Sequence, residues 1–117
     1  MDTANINAAA IWKKVLTLIQ RGDFSEAELL CYQLLKIDGQ NPYAIHLIGT
    51  ISLSIGNFQS AVEWINKAIS IKPDEASFYS NLGLATARLG NLGAAYSCCQ
   101  VAISLQKCNP TRTTISL

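Results

Sequence analysis

Charge is scarce in this chain. Asp, Glu, Lys and Arg together make up 15% of the residues, where a soluble domain ordinarily carries about 25%. The nine basic and eight acidic residues leave a formal net charge of +1. There is thus no basic stripe of the kind that supplies most nucleic-acid affinity, and nothing that calls for an anionic membrane or a strongly charged substrate. Histidine occurs once, at His46, and the four cysteines lack C-x-x-C spacing, so the ligand sets of a metal site are missing. The longest uncharged run, Gly39 to Val62, is broken by Gln40, Asn41, Pro42, Gly49, Gly56 and Asn57; a bilayer-spanning helix wants about 20 mostly apolar residues. No basic segment opens the chain, and its early apolar stretch is broken by Lys13 and Lys14, which argues against a secretory signal. Gly90-Asn91-Leu92-Gly93 resembles a phosphate loop in composition only, and a Cys–His pair has no supporting motif. These absences leave no cofactor, metal, nucleic acid or membrane to expect, and they predict a chain that is not an enzyme.

What is abundant is apolar surface. Half of the 117 residues are hydrophobic, enough for one domain over residues 1–117 that needs no metal or disulfide staple. With so little charge, part of the surface is expected to be apolar and covered by something else. The cysteines, Cys31, Cys98, Cys99 and Cys108, lie mostly in helix-like apolar sequence. They read as reduced, small apolar filler in a cytoplasmic protein, with Cys108, near the chain end, the most reactive thiol.

A fixed period organises the rest. Gly22, Gly56 and Gly90 are spaced 34 residues apart, as are Ala27, Ala61 and Ala95, and the series Asp23, Asn57 and Asn91. Three units follow, about 8–41, 42–75 and 76–109, with a short tail at 110–117. Within a unit the apolar residues recur on helical spacing: Ile45, Ile48, Ile51 and Ile55 before the break, Val62, Ile65 and Ile69 after it. Glycine ends a helix in the left-handed conformation, and the following Asp or Asn caps the next helix through its side chain. Asp23 and Glu26 have capping-box spacing. Asn41-Pro42 reads as an N-cap with proline in the first turn, and Pro73-Asp74 as a stop and restart. The pattern predicts six helices near 6–21, 24–37, 42–55, 58–71, 75–89 and 92–106. Their short connections make neighbours antiparallel.

These residues resemble the tetratricopeptide repeat (TPR) family, whose pattern W-x2-L-G-x2-Y, A-x3-F, P appears with substitutions. Unit two reads Ile45-x2-Ile48-Gly49-x2-Ser52, Ala61-x3-Ile65, Pro73; unit three reads Tyr79-x2-Leu82-Gly83-x2-Thr86, Ala95-x3-Cys99. Unit one is the most worn, with Ile11, Lys14, Val15 and Leu18, then Ala27 and Cys31. The resemblance implies an all-α fold, a right-handed α-solenoid of three helix–turn–helix units. Gly49 and Gly83, facing Ala61 and Ala95, are expected to let paired helices nest closely. A larger side chain there would overpack the contact.

The resemblance also implies where binding would occur. In this family the first helix of each unit lines a concave groove that holds a peptide or a partner helix. By register that groove comprises Trp12, Lys13 and Leu16; Tyr43, His46, Leu47 and Thr50; Ser77, Ser80, Asn81 and Leu84; and, at its edge, Arg88. The subset that grips the C-terminal carboxylate of chaperones uses Lys, Asn, Asn, Lys and Arg. Those places hold Trp12, Leu16, Leu47, Ser77 and Asn81 here, so that ligand is not expected. Trp12, Tyr43 and Leu47 admit two readings, completing the inter-helix core or facing a ligand. Under the second, Tyr43, His46, Asn81 and Arg88 contact an uncharged or weakly acidic segment. Trp64 shares a column with Leu30 and Cys98 and is expected to pack.

Three functions fit. The first is a protein- or peptide-binding adaptor, and units one and two are similar to N-terminal repeat segments of bacterial O-linked N-acetylglucosamine transferase-like proteins. The second is a scaffold that self-associates through uncapped apolar end faces, a homo-oligomer. The third is a secretion-type chaperone shielding an apolar segment. The tail favours an apolar end that either further protein, in a larger chain, or a second copy covers, because Asn109-Pro110 repeats the Asn41-Pro42 start and only seven residues, Thr111 to Leu117, follow. So short a Thr-rich segment makes no stable helix of usual length.

Overall fold

The structure, a computed structural model, describes residues 2–107, with side-chain surroundings from Ala9 to Gln106. The expectation for Cys108 and the tail therefore lies outside the described residues. Six helices follow one another: α1 (Asp2–Arg21), α2 (Phe24–Ile37), α3 (Pro42–Ser54), α4 (Phe58–Ile71), α5 (Ala76–Arg88) and α6 (Leu92–Lys107). There is no strand among the described residues. The architecture is an all-α helical repeat solenoid. Only α1 departs visibly from the expected bounds, starting one turn early at Asp2.

The helix pairs close as the period requires. Gly22, Gly56 and Gly90 all have φ between 84° and 88°. Each places the next residue's N–H on a carbonyl of the preceding helix: Asp23 on Leu18 at 2.9 Å, Asn57 on Ser52 at 2.8 Å, Asn91 on Thr86 at 2.9 Å. Side-chain capping is less regular than expected. The Asn41 side chain accepts from the N–H groups of Tyr43 and Ala44, and that of Asn91 from Ala94. Asp23 and Asn57 make no side-chain cap bond, so the Asp23–Glu26 capping box does not form. Asp23 has ψ 67° and Asn57 ψ 73°, short of the extended backbone (ψ 106°) from which Asn41 caps, although Asn91, tied back by the same turn, still caps.

Two buried layers hold the stack together. The first joins Val15 and Leu18 of α1, Ala27, Cys31 and Leu34 of α2, and Ala44, Ile48 and Ile51 of α3. The second joins Ile45 of α3, Ala61, Ile65 and Ala68 of α4, and Phe78, Leu82 and Ala85 of α5. Helix α3 thus serves both layers from two sides. A Cβ built on Gly49 would lie 2.7 Å from Ile65 Cγ1 and 3.2 Å from Trp64 Cβ; one on Gly83 would lie 3.3 Å from the Ala95 carbonyl oxygen and from Cys98 Cβ. The small residues are therefore at the helix contacts themselves, as the period implied. Trp64 packs against both layers, edge-on to Tyr32 at 6.1 Å, with the Lys67 ammonium 5.5 Å from its ring.

The thiols are not uniform. Cys31 is fully buried, and burial, with the Glu28 charge second, pushes its pKa up to about 12, so it is an inert core group. Cys98 is half-buried, whereas Cys99 is exposed and is not core filler. Its column, filled by Cys31 and Ile65 inside the stack, is left uncovered at α6.

Candidate functional site

The first helices bring part of the expected groove together around one aromatic ring. Phe78, in the first turn of α5, is fully buried. On it lie His46, with ring centroids 4.5 Å apart, and Tyr43, edge-on at 5.8 Å. His46 and Tyr43 come from α3, three positions apart, so one face of that helix supplies both. The Tyr43 hydroxyl donates to Glu75 Oε1 at a long 3.5 Å, and the Ser77 hydroxyl donates to Glu75 Oε2 at 3.2 Å.

A polar bond crosses the groove floor. Asn81 Nδ2 and His46 Nε2 are 2.8 Å apart, joining α5 to α3. With the amide donating, the bond needs a neutral imidazole whose Nε2 is free to accept. Burial supplies that state, pulling the His46 pKa down to about 4 against a smaller opposing pull from the Glu75 charge. The sign of the pH dependence follows. Above the unfolded value of 6.5 neither state is protonated, and stability is at its full value. As pH falls from 6.5 towards 4, the unfolded chain takes up a proton that the native ring refuses. At 1.36 kcal/mol per pKa unit the total loss is on the order of 3 kcal/mol. Urea midpoints measured at steps from pH 7 to 4 are expected to fall more for the native chain than for His46→Gln, whose side chain does not titrate.

Beside this pair opens a recess of about 280 Å3, lined by Asp74, Glu75, Ser77, Ser80 and Asn81 with Leu105 and Gln106 of α6. Its walls are hydroxyl, amide and aliphatic, with two carboxylates at the rim. Exposed along the same helices are Leu16, Tyr43 and Leu84, each near 43%, and Ser77 and Ser80. Thr50 is half-buried, and its hydroxyl is turned back onto the His46 carbonyl at 2.9 Å.

Other expected groove residues sit elsewhere or are engaged. Trp12 and Leu47 are half-buried against the first layer, which is the packing alternative. Tyr43 keeps 43% exposure while touching Phe78, so it belongs to both readings. The Arg88 guanidinium lies over the Phe58 ring, 5.7 Å from its centroid. Lys13 lines a different recess, with Ala10, Lys14, Thr17, Leu18 and Arg21. Among the described residues no three His, Cys, Asp or Glu side chains gather as metal ligands, and no helix is long and apolar enough to cross a membrane.

Sequence reasoning missed Phe78, Glu75 and Leu105. Phe78 stands 34 residues after the small Ala44, and a large ring in a small-residue column was the available signal. Glu75 stands where Asn41 caps α3. Nothing in the sequence marked Leu105.

Residues 49–90 match the family model described as TPR repeat. No curated protein matches the chain. Among solved structures the fold is similar to an O-GlcNAc transferase mutant of Thermobaculum terrenum, at 25% identity and TM-score 0.85; the match covers 89% of this chain but 20% of that one. It is similar to PcrH in complex with the chaperone binding region of PopD, at 17% identity and TM-score 0.86, covering 94% and 83% of the two chains. The second TPR of Spaghetti (RPAP3) bound to an HSP90 peptide aligns at 17% identity and TM-score 0.80, covering 90% and 99%.

Proposed function

For a chain built on the tetratricopeptide repeat, we propose a non-catalytic protein-interaction module that holds an extended, mostly uncharged peptide segment along α3 and α5. The observation that carries this reading is the floor at Phe78. The His46–Asn81 bond and the Phe78 ring make a fixed base, and Tyr43, Ser77 and Ser80 stand open beside a recess. Tyrosine is among the side chains that most often anchor an interface. Ser77, Ser80 and Asn81 are suited to peptide amides, and Leu105 to an aliphatic side chain. Asp74 and Glu75 at the rim disfavour an acidic residue at this end, which narrows the expected ligand to a neutral one there. The solved relatives with a bound HSP90 peptide and a bound PopD region support the general mode, and the low identity leaves their ligands their own. The transferase is five times longer than the matched part, so its activity is not carried over.

The test is a selection of random extended peptides on the immobilised chain, followed by affinity measurement against a Tyr43→Ala plus Asn81→Ala double variant. A loss of about tenfold or more is expected if these are anchors. Unchanged affinity, with the variant still folded, would remove the groove assignment.

A further inference from the structure

The outer face of α6 carries an inference that does not rest on the groove. Leu92, Tyr96, Cys99 and Ile103 lie in register with Phe58, Val62, Ile65 and Ile69 of α4, and with Phe24, Glu28, Cys31 and Leu35 of α2. Within the stack these columns are covered: Cys31 and Ile65 are fully buried, and Phe24, Leu35, Val62 and Ile69 pack against the two layers. On α6 they are bare, with Leu92 at 71%, Tyr96 at 67% and Ile103 at 47% exposure.

Two candidate occupants fit poorly. Continuing the 34-residue register past α6 puts Arg112 in the column of Ala44 and Phe78, and Ser116 in that of Ile48 and Leu82; residues 110–117 lack the apolar pattern of a first helix. Head-to-tail stacking would seat α1 of another copy there. In α1 the equivalent columns hold Ala10, Lys14 and Thr17, which with Lys13 and Arg21 line an exposed recess of about 390 Å3. Burying those cations on α6, which has no charged residue from Leu92 to Gln106, leaves them unpaired at high cost. The expected pair of apolar ends thus reduces to one, because the first unit closes its own end with charge.

The stripe shares its spacing of four, three and four residues with the covered columns of α4 and α2, and that spacing reads the same in both directions. Turned antiparallel about its midpoint, it sets Leu92 against Ile103 of the partner subunit and Tyr96 against Cys99 of the partner subunit. A neutral helix meets no like-charge repulsion in that arrangement, and the two helix dipoles oppose. We propose that the chain forms a twofold-symmetric dimer through this stripe of α6, an interface that closes rather than propagates.

Sedimentation velocity on the full chain, from micromolar to near-millimolar concentration, tests it. A monomer–dimer equilibrium is expected, and Tyr96→Lys is expected to weaken it by about 100-fold or more. Tyr96 is exposed in the monomer, so the melting of the dilute variant should match the parent. Leu92→Glu should also give a monomer, and adding Ile103→Lys should restore the dimer, since the two new charges meet only across the antiparallel interface. A monomer at every concentration, a ladder of growing oligomers, a dimer indifferent to Tyr96→Lys, or a double variant no better than Leu92→Glu would each overturn the proposal.

Discussion

Phe78→Ala is expected to lower the unfolding free energy by about 3–5 kcal/mol, the range for truncating a fully buried aromatic side chain. The upper half of the range is the better expectation here. Phe78 belongs to the second buried layer with Ile45, Ala61 and Ile65, and it is also the surface on which Tyr43 and His46 rest. Truncation opens a cavity between α3 and α5 and admits water to the imidazole. Denaturant unfolding measures the loss. A second consequence separates this account from simple cavity formation. With water at the ring, the His46 pKa should rise back towards 6.5, and the acid-side decline in stability should shrink. A variant that lost less than 1 kcal/mol would show that the ring does not anchor the floor.

Gly49→Val is expected to cost about 3 kcal/mol, at the top of the usual range for overpacking. The first added carbon already falls 2.7 Å from Ile65 Cγ1 and 3.3 Å from the Ile65 backbone nitrogen. Ile65 is fully buried, so its side chain has nowhere to swing, and the backbone of α4 must move instead. Gly83 supplies the control. Its nearest neighbours would be at 3.3 Å, tight but within reach of a small adjustment, and alanine recovers about 1 kcal/mol of helix propensity over glycine. Gly83→Ala is therefore expected to fall near neutral. Thermal and urea unfolding should rank Gly49→Val far below Gly83→Ala; equal effects would mean that α3 and α4 are not nested at Gly49.

Much of this fold is legible in the sequence because it repeats. The glycine of each turn, the alanine series Ala27, Ala61 and Ala95, and the stop at Asn41-Pro42 each occupy a column, and a column can be read without coordinates. What breaks the column could not be read that way. Phe78 replaces a small residue at Ala44, and only the packed structure places it as the floor beneath His46. Asp23 and Asn57 have good capping chemistry yet make no side-chain cap bond, whereas Asn91, in the same column, does. The individual residues expected along the groove are nameable by register, including His46 and Asn81, but the bond between those two is not. A hydrogen bond across 35 residues depends on how far α3 and α5 sit apart. The bareness of the α6 stripe is expected in outline from the low charge and the short Thr-rich tail. Its contrast with α1 lies in side-chain exposure, with Lys13, Lys14 and Arg21 lining a recess at one end and bare apolar residues at the other.

The central claim is that partners are held on the first helices of the stack, around the His46–Asn81 floor. Backbone amide shifts followed by NMR while a selected peptide is titrated into the labelled chain test it most directly. The expected result is saturable shifts at Tyr43, Thr50, Ser77, Ser80 and Asn81, together with Leu105 at the recess. Shifts confined to Tyr32, Gln33 and Lys67 on α2 and α4, with the α3 and α5 amides unmoved, would contradict it.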